Sequence, residues 1–280
     1  MLYIYHCGDF CEIISLVIYE GLRDNGIECQ LSRDVDGHRD DVWVLFCSFF
    51  DIIKWPSRYI VYQTEPLLKN YDPNGLYMKF LRQASQVWEY SKANLPIYES
   101  VNKNVIYLPF RYSKCLETWN DGKKRQSDQV FPLVDVSFLG HSNDYRRSII
   151  SQLKNDGINV VNAKETYGEI FGSQREEHLK NSKISLILHK CEEHQAFPQD
   201  ISRIFTFGAK RYFMISETTE DCAVKSLIQC PLNELSAKIQ QYLKDDRRRQ
   251  RNVDRVYNEI ISMRMADEFA KNMNFIKVLL

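Results

Sequence analysis

The chain has 280 residues, with 37 basic and 37 acidic side chains and a hydrophobic content of 44%. That content supports globular cores and excludes general disorder. Balanced charge argues against a generic nucleic-acid or membrane-surface binder, and no apolar run approaches the roughly 20 residues that cross a bilayer.

Residues 2–7 are expected to form a strand, and Phe10 to Asp24 a helix with apolar residues at helical spacing. Asn25-Gly26 closes that helix, and Ile27–Leu31 is a short strand. Val42–Cys47 and Arg58–Gln63 are apolar runs of the kind buried on both faces of a parallel sheet. Gly75–Ala84 is expected to be helical, Gln86–Tyr90 a strand, a helix to start after Ser91-Lys92, and Asn104–Phe110 to be the last strand of this half. Residues 112–132 are polar and read as a linker.

The alternation then restarts. Val134–Leu139 is a strand, Gly140-His141-Ser142-Asn143-Asp144 a polar turn, and Asn143 or Asp144 the cap of a helix over Tyr145–Asn155. Gly157 stops it before a strand at Ile158–Val161. Ser173–Asn181 is helical, Ile184–His189 a strand, Gln199–Phe207 a short helix and Arg211–Ser216 a strand. From Leu232 the pattern is helical to the end.

Strands alternating with helices imply an α/β chain of parallel βαβ units. Two Rossmann-like halves, a middle linker and a helical tail outline a GT-B fold, with two domains facing across a cleft. The expected domains are an acceptor domain at 1–111, a linker at 112–133, a nucleotide-sugar domain at 134–258, and a helix at 259–280 returning to the first half.

Open α/β sheets bind ligands at the carboxyl ends of their strands, and helix N-termini in such units hold phosphate. Asp200 and Arg203, three apart near the start of the short helix, suit a ribose hydroxyl and phosphate oxygens; the plainer reading is a surface salt bridge. Gly140 lets backbone approach a diphosphate, with His141, Ser142 and Arg146 beside it as donor ligands. Arg147 could join a phosphate clamp, although an ordinary turn with solvated arginines has the same sequence. His189 ends a buried strand and could meet a phosphate or a sugar hydroxyl, or be structural. For a general base in inverting transfer, Glu65 after the fourth strand and Asp9 after the first are the candidates. No GxGxxG is present, which counts against a dinucleotide-dependent dehydrogenase.

Eight scattered cysteines without a CxxC pair read as reduced thiols in a cytoplasmic protein, and no signal peptide is evident. Cys7, Cys11 and His6 lack a second ligand cluster for zinc. The run Lys244–Arg251 reads as a solvated helix face rather than a nucleic-acid patch, because acids interleave it.

From Val134 to Glu217 the chain resembles the donor domain of GT-B glycosyltransferases, particularly the exostosin-like ones. The matching residues are the strand Ser185–His189, Asp200, Arg203, Gly208 and Ile215-Ser216-Glu217. The acid is aspartate where glutamate is more usual, and the chain is shorter than typical members. It is also similar to small transferases of large DNA viruses, a xylosyltransferase among them. The resemblance implies a UDP- or GDP-sugar donor, no cofactor and no required metal; the expected acceptor is a glycan or glycoprotein, with nucleic acid set aside on the balanced charge. An epimerase or hydrolase of the same fold, or a non-catalytic Rossmann-like module, would fit the same residues.

Overall fold

A computed structural model describes residues 1–6, 8–46, 55–67, 72, 74–119, 131–168, 170, 172–191 and 201–279. The chain divides into two compact units. One comprises Met1–Cys115 with Met263–Leu280, the other Leu116–Ser262.

The first unit runs β1 (Leu2–Tyr5), α1 (Gly8–Asp24), β2 (Cys29–Ser32), β3 (Val42–Leu45), β4 (Arg58–Gln63), α2 (Leu76–Gln83), β5 (Gln86–Glu89), a 3₁₀ segment (Lys92–Ser100) and β6 (Val105–Tyr107). The sheet is parallel throughout in the order β2-β1-β3-β4-β5-β6. Its strands are continuous apolar runs because helices cover both faces. Trp43, Val61 and Phe80 are fully buried on one side.

Chain order puts α3 (Cys115–Thr118) next, inside the stretch read as linker; residues 120–130 of that stretch lie outside the described residues. The second unit continues with β7 (Val134–Phe138), α4 (Asp144–Asn155), β8 (Val160–Asn162), α5 (Ala163–Tyr167), α6 (Gly172–Lys180), β9 (Ser182–Ile187), α7 (Ile201–Ala209), β10 (Met214–Glu217), β11 (Ile228–Cys230), α8 (Leu232–Leu243) and α9 (Asp246–Ser262). Its sheet is also parallel, in the order β11-β10-β9-β7-β8. Phe138, Leu186, Ile215 and Ile239 lie in its core.

Two glycines end helices as the sequence suggests. Gly26 (φ +75°) and Gly157 (φ +81°) take left-handed backbone after α1 and α4. In each case the following amide reaches back to the helix: Ile27 N to Leu22 O at 3.1 Å and Ile158 N to Leu153 O at 3.1 Å. Asn143, not Asp144, caps α4 by accepting from Arg146 N at 3.0 Å.

The last helix, α10 (Met265–Lys277), belongs to the first unit and lies on α1. Phe269 is fully buried there, edge-on to Trp88 with centroids 5.4 Å apart. Asn25 Nδ2 donates to Ala266 O at 2.9 Å and Arg58 to Leu279 O at 2.6 Å.

Candidate functional site

In the second unit β8 follows β7 on one side and β9 pairs with β7 on the other. The order of strands therefore reverses between β7 and β9. The loops leaving two such strands diverge to opposite faces of the sheet and open a crevice, the usual ligand position in an open α/β sheet. The loops here are Leu139–Asn143 after β7 and Leu188–Cys191 after β9.

Arg146, in the first turn of α4, ties the two loops together. Its Nε donates to His189 O at 2.8 Å, one terminal nitrogen to Leu188 O at 2.9 Å and the other to His141 O at 2.8 Å. Asn143 Nδ2 adds a bond to Lys190 O at 2.6 Å. Three of the five guanidinium N–H donors thus serve the backbone, and Arg146 fastens the crevice wall where a free phosphate clamp was expected. Arg147 is turned outward onto Asp144 at 2.6 Å, with Glu165 at 3.8 Å. The N-terminus of α4 is already capped by Asn143 and carries Asp144 in its first turn, so its dipole is met from within the chain.

Gly140 and Arg203 come together. A Cβ on Gly140 would lie 2.7 Å from Phe138 Cζ and 3.1 Å from a terminal nitrogen of Arg203. The tighter of the two contacts is the Phe138 ring, so that ring sets the need for glycine, and the Arg203 guanidinium lies close to the same point from the first turn of α7. Ser142 turns away, its hydroxyl donating to Glu165 and accepting from Asn162 Nδ2 at 3.3 Å. His141 is exposed. Asp200 lies outside the described residues.

His189 is 4% exposed. Its Nε2 meets Thr218 O at 3.1 Å, and since a carbonyl only accepts, Nε2 carries the proton and Nδ1 is the acceptor. Burial holds this imidazole below its ordinary pKa and hence neutral, against the opposing pull of Glu217. Glu217, at the end of β10, has no exposed surface. One of its oxygens accepts from the Tyr145 hydroxyl and the other from His189 N at 3.0 Å. This carboxylate was not among the expected site residues. Its signal was in the sequence, an acid closing an otherwise apolar strand, where a buried charge has no packing use.

One set of strand ends thus brings together a guanidinium near a glycine, a neutral imidazole and a carboxylate held without exposed surface. A guanidinium can hold phosphate oxygens; a carboxylate and an imidazole acceptor can hold sugar hydroxyls.

In the first unit, Asp9 lies in the first turn of α1, just after β1. Glu65 is exposed after β4. With β3 between them, β1 and β4 stand about 10 Å apart at two strand spacings. The Glu65 turn is held firmly: Gln63 Oε1 accepts from Glu65 N at 2.9 Å, Gln63 Nε2 donates to Glu65 O at 3.0 Å, and Asn94 Nδ2 donates to the same carbonyl at 3.0 Å. His6 Nδ1 hydrogen-bonds Ser15 Oγ at 2.7 Å.

No protein-family model matches the chain. A protein of Acanthamoeba polyphaga mimivirus, L138, is 25% identical over 206 residues, which are 71% of this chain and 22% of that protein. The chain therefore spans about a fifth of the length of the curated relatives it matches. Among solved structures, an alpha-glucosyltransferase in complex with UDP and a 13-mer DNA superposes with a TM-score of 0.64 at 12% identity, covering 99% of each chain. T4 phage BGT with UDP-glucose gives 0.56 at 11% identity, over 99% of this chain and 98% of that one. An alpha1,3-fucosyltransferase with GDP gives 0.55 at 15% identity, over 99% and 89%.

These likenesses establish the fold: two Rossmann-like α/β units of the GT-B glycosyltransferase type. They also correct one expectation. Nucleic acid was set aside as a partner on the grounds of balanced charge, yet a structure of this fold holds DNA beside UDP. Overall charge reports an average and says nothing of one face. No helix among the described residues is long and apolar enough to cross a membrane.

Proposed function

We propose that the chain is a glycosyltransferase whose second unit binds a nucleoside-diphosphate sugar in the crevice between β7 and β9. The observation that carries this reading is the packing of Arg203 over Gly140 beside the Glu217–His189 pair. Arg203 is assigned the diphosphate, Glu217 and His189 the sugar or ribose hydroxyls, and Asp200 the ribose. UDP-glucose and GDP are bound by solved structures of the same fold, which supports a UDP- or GDP-linked donor.

In the proposed reaction the acceptor oxygen bonds to the anomeric carbon as the bond from that carbon to the diphosphate breaks. The acceptor proton passes to a carboxylate, Glu65 or Asp9, and the nucleoside diphosphate leaves with its electron pair, its charge offset by Arg203. A single displacement of this kind inverts the anomeric centre. Xylose is the first sugar to test, since the sequence resembles a viral xylosyltransferase. The diphosphate is assigned to side chains, so activity is expected to survive EDTA. DNA belongs in the acceptor panel beside glycans.

The deciding experiment is thermal unfolding of the protein with UDP, GDP, CMP and their sugars. A ligand at about 100 times its Kd adds about 2.7 kcal/mol. One nucleotide is expected to raise the midpoint, and Arg203→Ala to abolish the rise while leaving the ligand-free midpoint within a degree or two. No response to any nucleotide overturns the reading.

A further inference from the structure

Helix α9 carries five arginines, and the fold sorts them into two groups. Val253, Val256 and Ile260 form its buried face. Arg248 and Arg249 turn inward along the flanks. Arg248 lies over the Tyr242 ring at 4.9 Å, and Arg249 donates to Leu243 O at 3.2 Å and pairs with Asp246. Arg247, Arg251 and Arg255 are exposed, and Lys244 just before the helix is exposed as well. Spaced four residues apart, the three arginines stack as a ridge with one guanidinium about every 6 Å, opposite the buried face.

The two acids of the run itself, Asp245 and Asp246, are taken up by Arg248 N and Arg249, and the later acids of the helix meet partners outside the ridge. Asp245 accepts from Arg248 N at 2.8 Å, and Asp254 pairs with Arg211 at 2.9 Å. Glu259 accepts from Lys225 N at 2.6 Å and Ser226 N at 2.7 Å. Among the described residues, Arg247, Arg251 and Arg255 have no acid within ion-pair distance. Exposed amides on this side are Asn258 and Gln250, the latter donating to Asp254 at 3.3 Å.

The geometry points to α9 as a docking face for a nucleic-acid backbone, with Arg247, Arg251 and Arg255 contacting phosphates along one strand. Guanidinium groups pair with phosphate oxygens in two-pronged fashion, and amides between them suit sugar and phosphate oxygens. A bilayer surface fits less well. Interfacial helices bury large apolar side chains beside their cations, and none of the exposed large hydrophobics of the described residues lies on α9. Phosphate contacts carry no base readout, so the face is expected to bind without sequence preference. This inference does not depend on the sugar-transfer reading.

The test is fluorescence anisotropy of labelled duplex and single-stranded DNA against the whole protein over a range of salt. Three phosphate contacts on a duplex give a slope of log K against log salt of about −2.7, a loss of about 40-fold between roughly 50 and 200 mM salt. Replacing all three arginines by glutamine is expected to abolish binding at low salt, and replacing them by lysine to retain most of it. The glutamine triple must keep the wild-type melting midpoint and its response to nucleotide, which separates loss of the face from loss of the fold. Absence of binding at low salt, binding unchanged in the glutamine triple, or tighter capture by anionic vesicles than by DNA each overturns the proposal. Failure of the nucleotide response alone leaves it standing.

Discussion

Glu89 closes β5 with no exposed surface, and burial pushes its carboxyl up to about 8. Ser91 N at 2.8 Å and Asn94 Nδ2 at 3.0 Å donate to one oxygen and pull the other way, but desolvation wins. A carboxyl raised on folding binds its proton more tightly in the folded state. Its contribution is therefore whole below the unfolded value of about 4.5, declines as pH rises, and is gone above about 8, for a total of a few kcal/mol. Glu89→Gln keeps the acceptor oxygen and removes the titration. Thermal melts from about pH 5 to 9 should show wild-type stability falling with pH and the variant nearly flat across the same window. The same scale shows why side-chain roles were only partly legible. Gly140 and Arg203 could be picked out as candidate positions by their place after a strand and on a helix start, and the structure brings the two together. That Gly140 sits against Phe138 with Arg203 beside it, and that Arg146 spends its donors on three carbonyls, depends on rotamers and loop paths which no spacing encodes. Glu217 is legible as the polar end of a matching strand, but its bonds to the Tyr145 hydroxyl and His189 N follow from how neighbouring elements pack.

Helices and strands were more readable, because their burial patterns are periodic. Arg58–Gln63 appears as expected to the residue, and α1, α2 and α4 fall within two residues of the expected bounds. The misses are short or polar. β11 has three residues, Ile-Gln-Cys, and α5 five, too few to show a period. The contact of α1 with α10 illustrates what an element's sequence hides. Gly21 lies inside α1, where alanine would be the better helix former. A Cβ there would stand 2.7 Å from Phe269 Cδ2, and the ring is wedged against Trp88. Gly21→Ala is expected to destabilise the protein by about 1–2 kcal/mol despite its helix propensity, since overpacking a rigid contact outweighs that gain. Urea unfolding would measure it, and the paired Gly21→Ala/Phe269→Leu variant should recover part of the loss.

At the scale of the whole molecule, the two sheets share an order around their first strands, with β1 between β2 and β3 and β7 between β8 and β9. Repetition of one architecture was visible in the alternation of apolar runs, although no residue repeat betrays it. The first unit is built from two separate stretches of chain, whereas the second is continuous. Met265, Phe269 and Ile276 are fully buried on α10. A chain cut after Ser262 is therefore expected to lose the cooperative melting and hydrogen-exchange protection of β1–β6. The second unit should stay folded in it and keep the nucleotide response. Differential scanning calorimetry with nucleotide present would separate the two transitions.

The discontinuity also sets an order of events during synthesis. A ribosome delivers α1 early and its partner α10 only after every residue of the second unit has emerged. The second unit can close on its own as soon as α9 is out. The first must wait with the α1 face around Gly21 and Leu22 uncovered, tethered to a finished neighbour, and closes through contacts some 240 residues apart in sequence. The half made first is thus the half completed last.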